Sequence, residues 1–266
     1  MTLFWESDVK QAPRHVQIVE LVTKHGYVSV DELVEKFNVS PQTIRRDLTE
    51  LADANKLRRY HGGATLPLSS ENTDYSTRKT QKFGEKDLIA EELVKHIPDG
   101  ATLFIDIGTT PEAVAVALNK KHRQLRVVTN NLNVATILQP NPEIQVILAG
   151  GEVRDRDGGI IGEATLDFVK QFRLDFGILG ISGIDFDGSL LDFDYHEVRV
   201  KQAIIENSRS VFLAVDYSKF GRNAMVKLGN IAQIHTVVTD KQPPDSICKI
   251  LDENNVILAV ANPSSK

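Results

Sequence analysis

Two clusters of residues carry side chains that can bind a ligand. The first sits on a helical stretch opened by Ser40 and Pro41. At about 100° per residue, Ile44, Leu48, Leu51 and Asn55 project to one side, and Gln42, Arg45, Arg46, Thr49 and Asp53 to the other. An amide, two guanidiniums and a hydroxyl on one face are groups that hydrogen-bond base edges and phosphates in DNA. Ser40 is placed as an N-cap, Pro41 takes the first helical position, and the amides of the first turn, out to Thr43, can meet a phosphate. Any solvated helix also presents a polar face, so the neighbouring elements decide. The second cluster is DIGTT at 106–110, between a strand and a helix. Asp106 ends the strand, Gly108 lets the backbone turn closely, and Thr109 and Thr110 supply hydroxyls ahead of a helix begun by Pro111. The stretch reads either as an anion cradle or as a capped loop. It is not a Walker loop, because no Gly-Lys-Ser/Thr follows.

The first cluster has the right supports. Arg14 to His25 carries Val16, Ile18, Val19, Leu21 and Val22, which suits a helix with a buried face, and Gly26 is placed to stop it. Ser29 and Glu32 have the spacing of a capping box and open a second helix through Leu33, Val34 and Phe37. After the third helix, which runs to about Asn55, residues 57–66 read as strand, turn and strand, with Gly62 and Gly63 in the turn. Together these predict a winged helix-turn-helix over residues 11–66. Arg58, Arg59 and His61 on the hairpin would reach the DNA backbone or minor groove. Over residues 40–60, Arg45, Arg46, Lys56, Arg58 and Arg59 outnumber Asp47, Glu50 and Asp53, although the whole chain carries a net charge of -5.

Residues 67–84 hold few apolar side chains and much Ser, Thr, Asn and Lys, the composition of a linker, one that docking on a neighbour can partly order. From 85 to 260 amphipathic helical stretches alternate with apolar strands such as TLFI, VILA and VFLAV. That alternation predicts an α/β domain with a mostly parallel sheet covered on both faces. Ligands in such sheets bind beyond the carboxyl ends of the strands. The loops expected there carry Asp106, the pair Asn130 and Asn131, the pair Gly150 and Gly151, then Gly180 and Asp185, and finally Lys219. Lys219 by itself reads as readily as a surface lysine. Asp185 also fits a simple turn with Asp187 and Gly188.

The chain has 266 residues, 41% hydrophobic and 25% charged, which suits two folded domains. Its one cysteine, Cys248, cannot form an internal disulfide, and with Ile247, Ile250 and Leu251 around it is expected as a buried thiol. No apolar run approaches the ~18 residues of a membrane span, and Phe4 and Trp5 are not followed by a signal-peptide pattern. A cytoplasmic location is expected, with no metal and no cofactor.

The run YVSVDELVEKFNVSPQTIRRDLTELADANKLRRYHGGA (27–64), and VSPQTIRRDL (39–48) within it, resembles the helix-turn-helix of the DeoR family. The resemblance extends over roughly residues 14–240, through TLFIDIGTTPEAVA, VTNNLNVA, RDGGIIGEATLDF, DFGILGISGID, FDYHEVR and SKFGRNAMV; residues 1–13 do not fit it. It implies a repressor that binds operator DNA as a homo-oligomer, and a C-terminal domain similar to the ribose-5-phosphate isomerase fold that takes a phosphorylated sugar or polyol. The strongest likeness is to members governing glycerol 3-phosphate use, so that ester is the expected effector. On this resemblance Gly108, Thr109 and Thr110 would hold the phosphate through their backbone, Lys219 would supply a cation, and Asp106, Asn130, Asn131 and Asp185 would bond hydroxyls or orient loops.

Two other classes compete. A sugar-phosphate isomerase needs a positioned base, and Asp106, Asp185 and Glu197 are available for that role. The winged helix fused ahead of this domain favours a sensor over an enzyme. A purely architectural DNA binder would leave the α/β domain without a task. Other near-motifs fail: His196-Glu197 has Val200 where a zinc protease needs its second His, GISGI ends on Ile184 where a nucleophile elbow needs Gly, and GGIIG (158–162) opens no dinucleotide-binding unit.

Overall fold

The computed structural model describes residues 5–60, 62–66 and 75–261. The N-terminal unit consists of α1 (Trp5–His25), β1 (Tyr27–Ser29), α2 (Val30–Phe37), α3 (Pro41–Asp53), β2 (Arg58–Tyr60) and β3 (Gly63–Thr65). The expected capping box is formed: Ser29 accepts from the Glu32 amide, and Glu32 accepts from the Ser29 amide at 2.7 Å. Ser40 caps α3 by accepting from the Thr43 amide at 3.2 Å. The helices close over a core of Ile18, Val22, Leu33, Ile44, Leu48, Leu51 and Leu57, and β1 joins the wing through antiparallel pairing with β3. Val16 is 57% exposed, against expectation, because it lies about 200° around α1 from Ile18. Asn55 is exposed too: α3 ends at Asp53, and Asn55 follows in the left-handed region at φ 56°.

The segment read as a linker carries structure of its own, since α4 (Tyr75–Thr80) and the start of α5 (Phe83–Leu93) fall within it. The C-terminal unit continues with β4 (Thr102–Ile105), α6 (Thr109–Lys121), β5 (Leu125–Thr129), α7 (Leu132–Leu138), β6 (Ile144–Leu148), β7 (Glu152–Val153), β8 (Ile160–Ile161), α8 (Glu163–Val169) and β9 (Leu174–Leu179). Then come β10 (Gly183–Ile184), β11 (Ser189–Asp192), α9 (Tyr195–Glu206), β12 (Ser208–Ala214), β13 (Val226–Asn230), β14 (Thr236–Thr239), α10 (Asp245–Glu253) and β15 (Ile257–Val260).

Seven parallel strands form the main sheet in the order β15-β14-β12-β9-β4-β5-β6. Alternate side chains supply the two faces, as a doubly covered parallel sheet requires. Leu103, Ile105, Val127, Phe212 and Val238 pack beneath α5, α6 and α7. Phe104, Val128, Val211, Leu213 and Val237 pack on the other side beneath α8, α9 and α10. Starting from β4 the chain builds outward through β5 and β6, then returns to place β9 on the opposite side of β4. Strand order therefore reverses between β4 and β9, the position where such sheets hold ligands.

Two small antiparallel pieces, β7-β8 and β10-β11-β13, were not legible as strands and lie outside the main sheet. Cys248 is half-exposed rather than buried, with its thiol 3.3 Å from the Pro243 carbonyl, because Ile247 and Leu251 take the inner face of α10. Among the described residues no helix is long and apolar enough to cross a membrane.

The two units touch through the loop that follows β12. Thr65 on the wing shares its hydroxyl between the carbonyls of Gly26 (3.0 Å) and Gly221 (2.8 Å). The Tyr27 ring meets Phe186 edge-on at 4.9 Å. Gly26 ends α1 at φ 80°, and a Cβ there would come within 2.1 Å of the Ser218 carbonyl. Glycine at this position thus serves the contact between the units as well as the helix stop.

Candidate functional site

On α3 the outer face is available. Gln42, Arg45 and Arg46 are exposed, and the Gln42 and Arg45 side chains form no hydrogen bond or ion pair among the described residues. Arg46 leans on Glu50 at 2.9 Å, a pair exposed enough to be exchanged for a phosphate at little cost. Thr49 accepts from Arg59 of the wing at 2.7 Å and donates to the Arg45 carbonyl at 2.8 Å, so wing and helix present one continuous basic surface. Ser40 and Thr43 lie at the start of that surface, their hydroxyls 2.9 Å apart. Arg58 is half-buried, and His61 lies outside the described residues. Asp47 is only 1% exposed and takes the Arg14 guanidinium at 2.6 and 2.9 Å and the His15 ring at 3.1 Å. The acid that counted against the basic stretch is therefore turned inward, leaving the outer face more positive than the sequence count suggests.

A cavity of about 410 Å³ opens across the carboxyl ends of β4, β9 and β12. Ile107, Thr109 and Thr110 line it from the loop after β4, Gly180, Ile181 and Ser182 from the loop after β9, and Ala214 and Lys219 from the end of β12. Asp192, Asp194, Glu197 and Lys201 close one side, Arg156 and Asp157 come from the β7–β8 hairpin, and Tyr75 and Arg78 reach in from α4.

Behind this surface runs a chain of buried charges. Lys201, 1% exposed, bonds to Asp106 at the end of β4 and to Glu197 at 2.8 Å, with Asp192 3.8 Å away. Arg154 adds a second cation, bonding to Asp157 at 2.7 Å and to Asp194 and Glu197 at 2.9 Å each. Burial disfavours each of these ions. It pushes Asp106 up to about 6 even with the Lys201 ammonium beside it. Burial would raise Glu197 as well, but Lys201 and Arg154 override it and hold that carboxyl at about 2. For Lys201 burial is outweighed by Asp106, Glu197 and Asp192, and the ammonium stays above its ordinary value.

Lys219 in the same lining is held differently. Lys219 forms no hydrogen bond or ion pair through its ammonium among the described residues. Burial pulls it down to about 8; Asp216 opposes that pull, while Arg222, Arg78 and Lys86 reinforce it. In the same lining are Thr109 and Thr110 at the start of α6, where Gly108 supplies no capping side chain, so their amides have no side-chain partner. A desolvated lysine and the positive end of a 13-residue helix on one lining make a place for an anion. The same cavity offers carboxylate acceptors, already paired with Lys201, Arg154 and Arg156.

The expected ligand residues divide on this geometry. Thr109, Thr110, Gly180 and Lys219 line the cavity, Gly108 sets the start of α6, and Asp106 is fully buried and reaches the cavity through Lys201. The rest lie outside the lining. Asn130 donates to the Ile160 carbonyl at 3.2 Å and ties down β8. Asn131 caps α7 and donates to Glu112 at 3.3 Å. Gly150 and Gly151 lead into β7, Gly151 packing on Ile160 and Thr165. Asp185 is a turn residue between β10 and β11, accepting from the Phe186 amide at 2.8 Å. Tyr75, Arg78, Arg156, Asp192, Asp194 and Lys201 were not singled out from sequence. Of these only Lys201 left a trace, its Glu197–Lys201 spacing, and that spacing reads as an ordinary exposed helix pair.

The DeoR-like helix-turn-helix domain family matches residues 14–70, and the DeoR C terminal sensor domain family matches residues 81–241. A fold that joins a DNA-type helix-turn-helix to a ligand-type crevice at a sheet switch point defines a ligand-responsive regulator, and this chain belongs to the DeoR family. Glycerol-3-phosphate regulon repressor of Escherichia coli (strain K12) is 63% identical over 250 residues, covering 94% of this chain and 99% of that one. The protein of the same name from Haemophilus influenzae is 55% identical over 254 residues, covering 96% and 98%. Among solved structures, ribose 5 phosphate isomerase A from Neisseria gonorrhoeae aligns over 51% of this chain and 52% of its own, at 18% identity and a TM-score of 0.38.

Removing one partner from a buried charge network leaves the others uncompensated. Lys201→Met is therefore expected to cost about 3–5 kcal/mol in urea or guanidinium unfolding near neutral pH. The sign with pH follows from the carboxyls. Asp106, raised to about 6 already, rises further without Lys201, so its destabilisation is present above that pH and fades as acid neutralises it. The deficit should shrink on going from pH 8 to pH 5; an unchanged or growing deficit would contradict the network.

Proposed function

We propose that this protein represses genes for glycerol 3-phosphate catabolism and leaves its operators when glycerol 3-phosphate fills the cavity. Residues 11–66 form the DNA-binding part in this reading and residues 85–260 the sensor. Gln42, Arg45 and Thr49 address bases in the major groove, while Ser40, Thr43, Arg46, Arg58, Arg59 and His61 address the backbone and minor groove. One short recognition helix reaches few bases, so a homo-oligomer on a repeated or palindromic operator is expected.

The observation that carries the effector reading is the make-up of the cavity lining. Lys219 and the uncapped amides of Thr109 and Thr110 suit a phosphate dianion, whereas Asp192, Asp194 and Glu197 are acceptors that suit hydroxyl donors. A polyol phosphate presents both halves. The relatives named for the glycerol-3-phosphate regulon support that particular ester. The isomerase reading is disfavoured by the places of its three candidate bases: Asp106 and Glu197 are bonded to Lys201, and Asp185 sits in a turn outside the cavity lining.

Operator DNA followed by fluorescence anisotropy tests the proposal. Glycerol 3-phosphate should release the DNA, and neither glycerol nor inorganic phosphate should do so at the same concentration. Arg45→Ala should weaken operator binding by about 1–3 kcal/mol, the value of a good base contact, while leaving effector affinity unchanged. Tight operator binding untouched by glycerol 3-phosphate would end the effector reading, and an unchanged operator Kd in Arg45→Ala would remove that residue from the interface.

Effector affinity should also depend on pH from both sides. Below about 6 a phosphate monoester loses its second charge. Above about 8 Lys219, held low by burial, loses its proton and with it the attraction. Affinity should be greatest between those limits. Lys219→Arg, charged at every accessible pH, should abolish the alkaline fall; persistence of that fall in Lys219→Arg would assign it to another group.

A further inference from the structure

Two cations of the effector cavity have a second aspect. Lys219 and Arg78 also line a separate crevice between the two units, whose far wall is Val19, Glu20 and Thr23 of α1. They are therefore the partition between the cavity and the surface on which the winged helix rests. Lys219 belongs to the sensor, on the loop whose Ser218 carbonyl meets Gly26 and whose Gly221 carbonyl accepts from Thr65. Arg78 belongs to α4, on the stretch of chain that joins the two units.

Helix α4 is docked on the sensor and is not a loose tether. Its Tyr75 hydroxyl donates to Glu112 of α6 at 2.8 Å and accepts from Asn133 at 3.2 Å. Its C-terminal carbonyls are held by Lys86, which is 6% exposed and bonds to the Arg78 and Gln81 carbonyls. The Arg78 guanidinium stands 3.9 Å from Asp157, whose two oxygens already receive Arg154 at 2.8 and 2.7 Å. Arg78 lines the cavity, where a phosphate offers a guanidinium two parallel charge-assisted hydrogen bonds.

We infer that Arg78 is a phosphate ligand of the effector, and that drawing Arg78 and Lys219 together onto the phosphate shifts α4 and the 216–222 loop and so undocks the winged helix. This rests on the effector reading above and adds to it the residue through which the bound ester reaches the DNA-binding unit. The phosphate is held partly by the joint between the domains, so occupancy and domain docking become one equilibrium, as linkage between two sites requires.

Calorimetry with glycerol 3-phosphate and operator anisotropy, on the full-length protein, test it together. Arg78→Gln should weaken effector binding by about ten- to a hundredfold, the worth of charge-assisted hydrogen bonds. At effector concentrations raised until the variant is saturated, it should still hold its operator, the Kd ratio with and without effector falling toward 1. Arg78→Lys keeps the charge but not the planar fork, and should bind the effector with intermediate affinity; with a thermal melt matching wild type for both variants, loss in Arg78→Gln is not loss of fold. An unchanged effector Kd in Arg78→Gln overturns the inference. Weakened binding with full release at saturation overturns the coupling role, because a ligand residue alone is rescued by more ligand. If wild type itself fails to bind glycerol 3-phosphate, the effector reading falls and takes this inference with it, a result distinct from the other two.

Discussion

Lys201 is an ammonium buried to 1% exposure, and it cannot stay there uncompensated. Its partners come from different parts of the chain: Asp106 from the end of β4, Asp192 from β11 and Glu197 from α9. Meeting its charge therefore brings those segments together at the point where strand order reverses. Arg154 extends the constraint to the β7–β8 hairpin through Asp157 and Asp194. With the carboxylates committed to these two cations, the crevice keeps Lys219 without an ion pair among the described residues. Which cation is left for an anion follows from how the buried charges are shared.

That lysine matters beyond the sensor because of the loop after β12. Its Asp216 accepts from the Ser218 amide at 3.0 Å, its Lys219 lines the cavity, and its Gly221 receives the wing through Thr65. Within a few residues one loop touches both the ligand space and the DNA-binding unit. Tyr27 against Phe186 adds an aromatic contact to the same junction. A small displacement of this loop changes both surfaces because the contacts are close-packed, and the Ser218 carbonyl leaves no room for a side chain at Gly26.

Much of the fold was legible because local signals agreed with one another. Ser29 with Glu32, Ser40 with Pro41, and Ile44 with Leu48 and Leu51 mark the helices of the N-terminal unit by capping and period alone. Apolar strands of four to seven residues separated by amphipathic helices mark the main sheet. The two-residue strands β7, β8 and β10 have no period to detect. Val16 and Asn55 were misplaced because a count of apolar residues, or a helix run on past its true end, assigns a face that the backbone does not give. In the site, DIGTT and Lys219 were readable from residue type and place. Lys201 was hidden because a Glu and a Lys four apart on a helix look solvated, and only the distant Asp106 reveals the pair as buried. Tyr75 and Arg78 were hidden because a polar segment carries no sign of what it docks against. Asn130, Asn131 and Asp185 stand at strand ends as expected, yet they spend their hydrogen bonds on the hairpins and helix ends that frame the cavity.

The most direct measurement is reciprocal linkage. Glycerol 3-phosphate is titrated by calorimetry into the free protein and into the protein saturated with operator DNA, and operator affinity is measured with and without saturating ester. If cavity and winged-helix docking are one equilibrium, operator weakens the ester by the same factor by which the ester weakens operator, within about the 5–150-fold range of typical couplings. An ester that binds the operator complex as tightly as the free protein would contradict it.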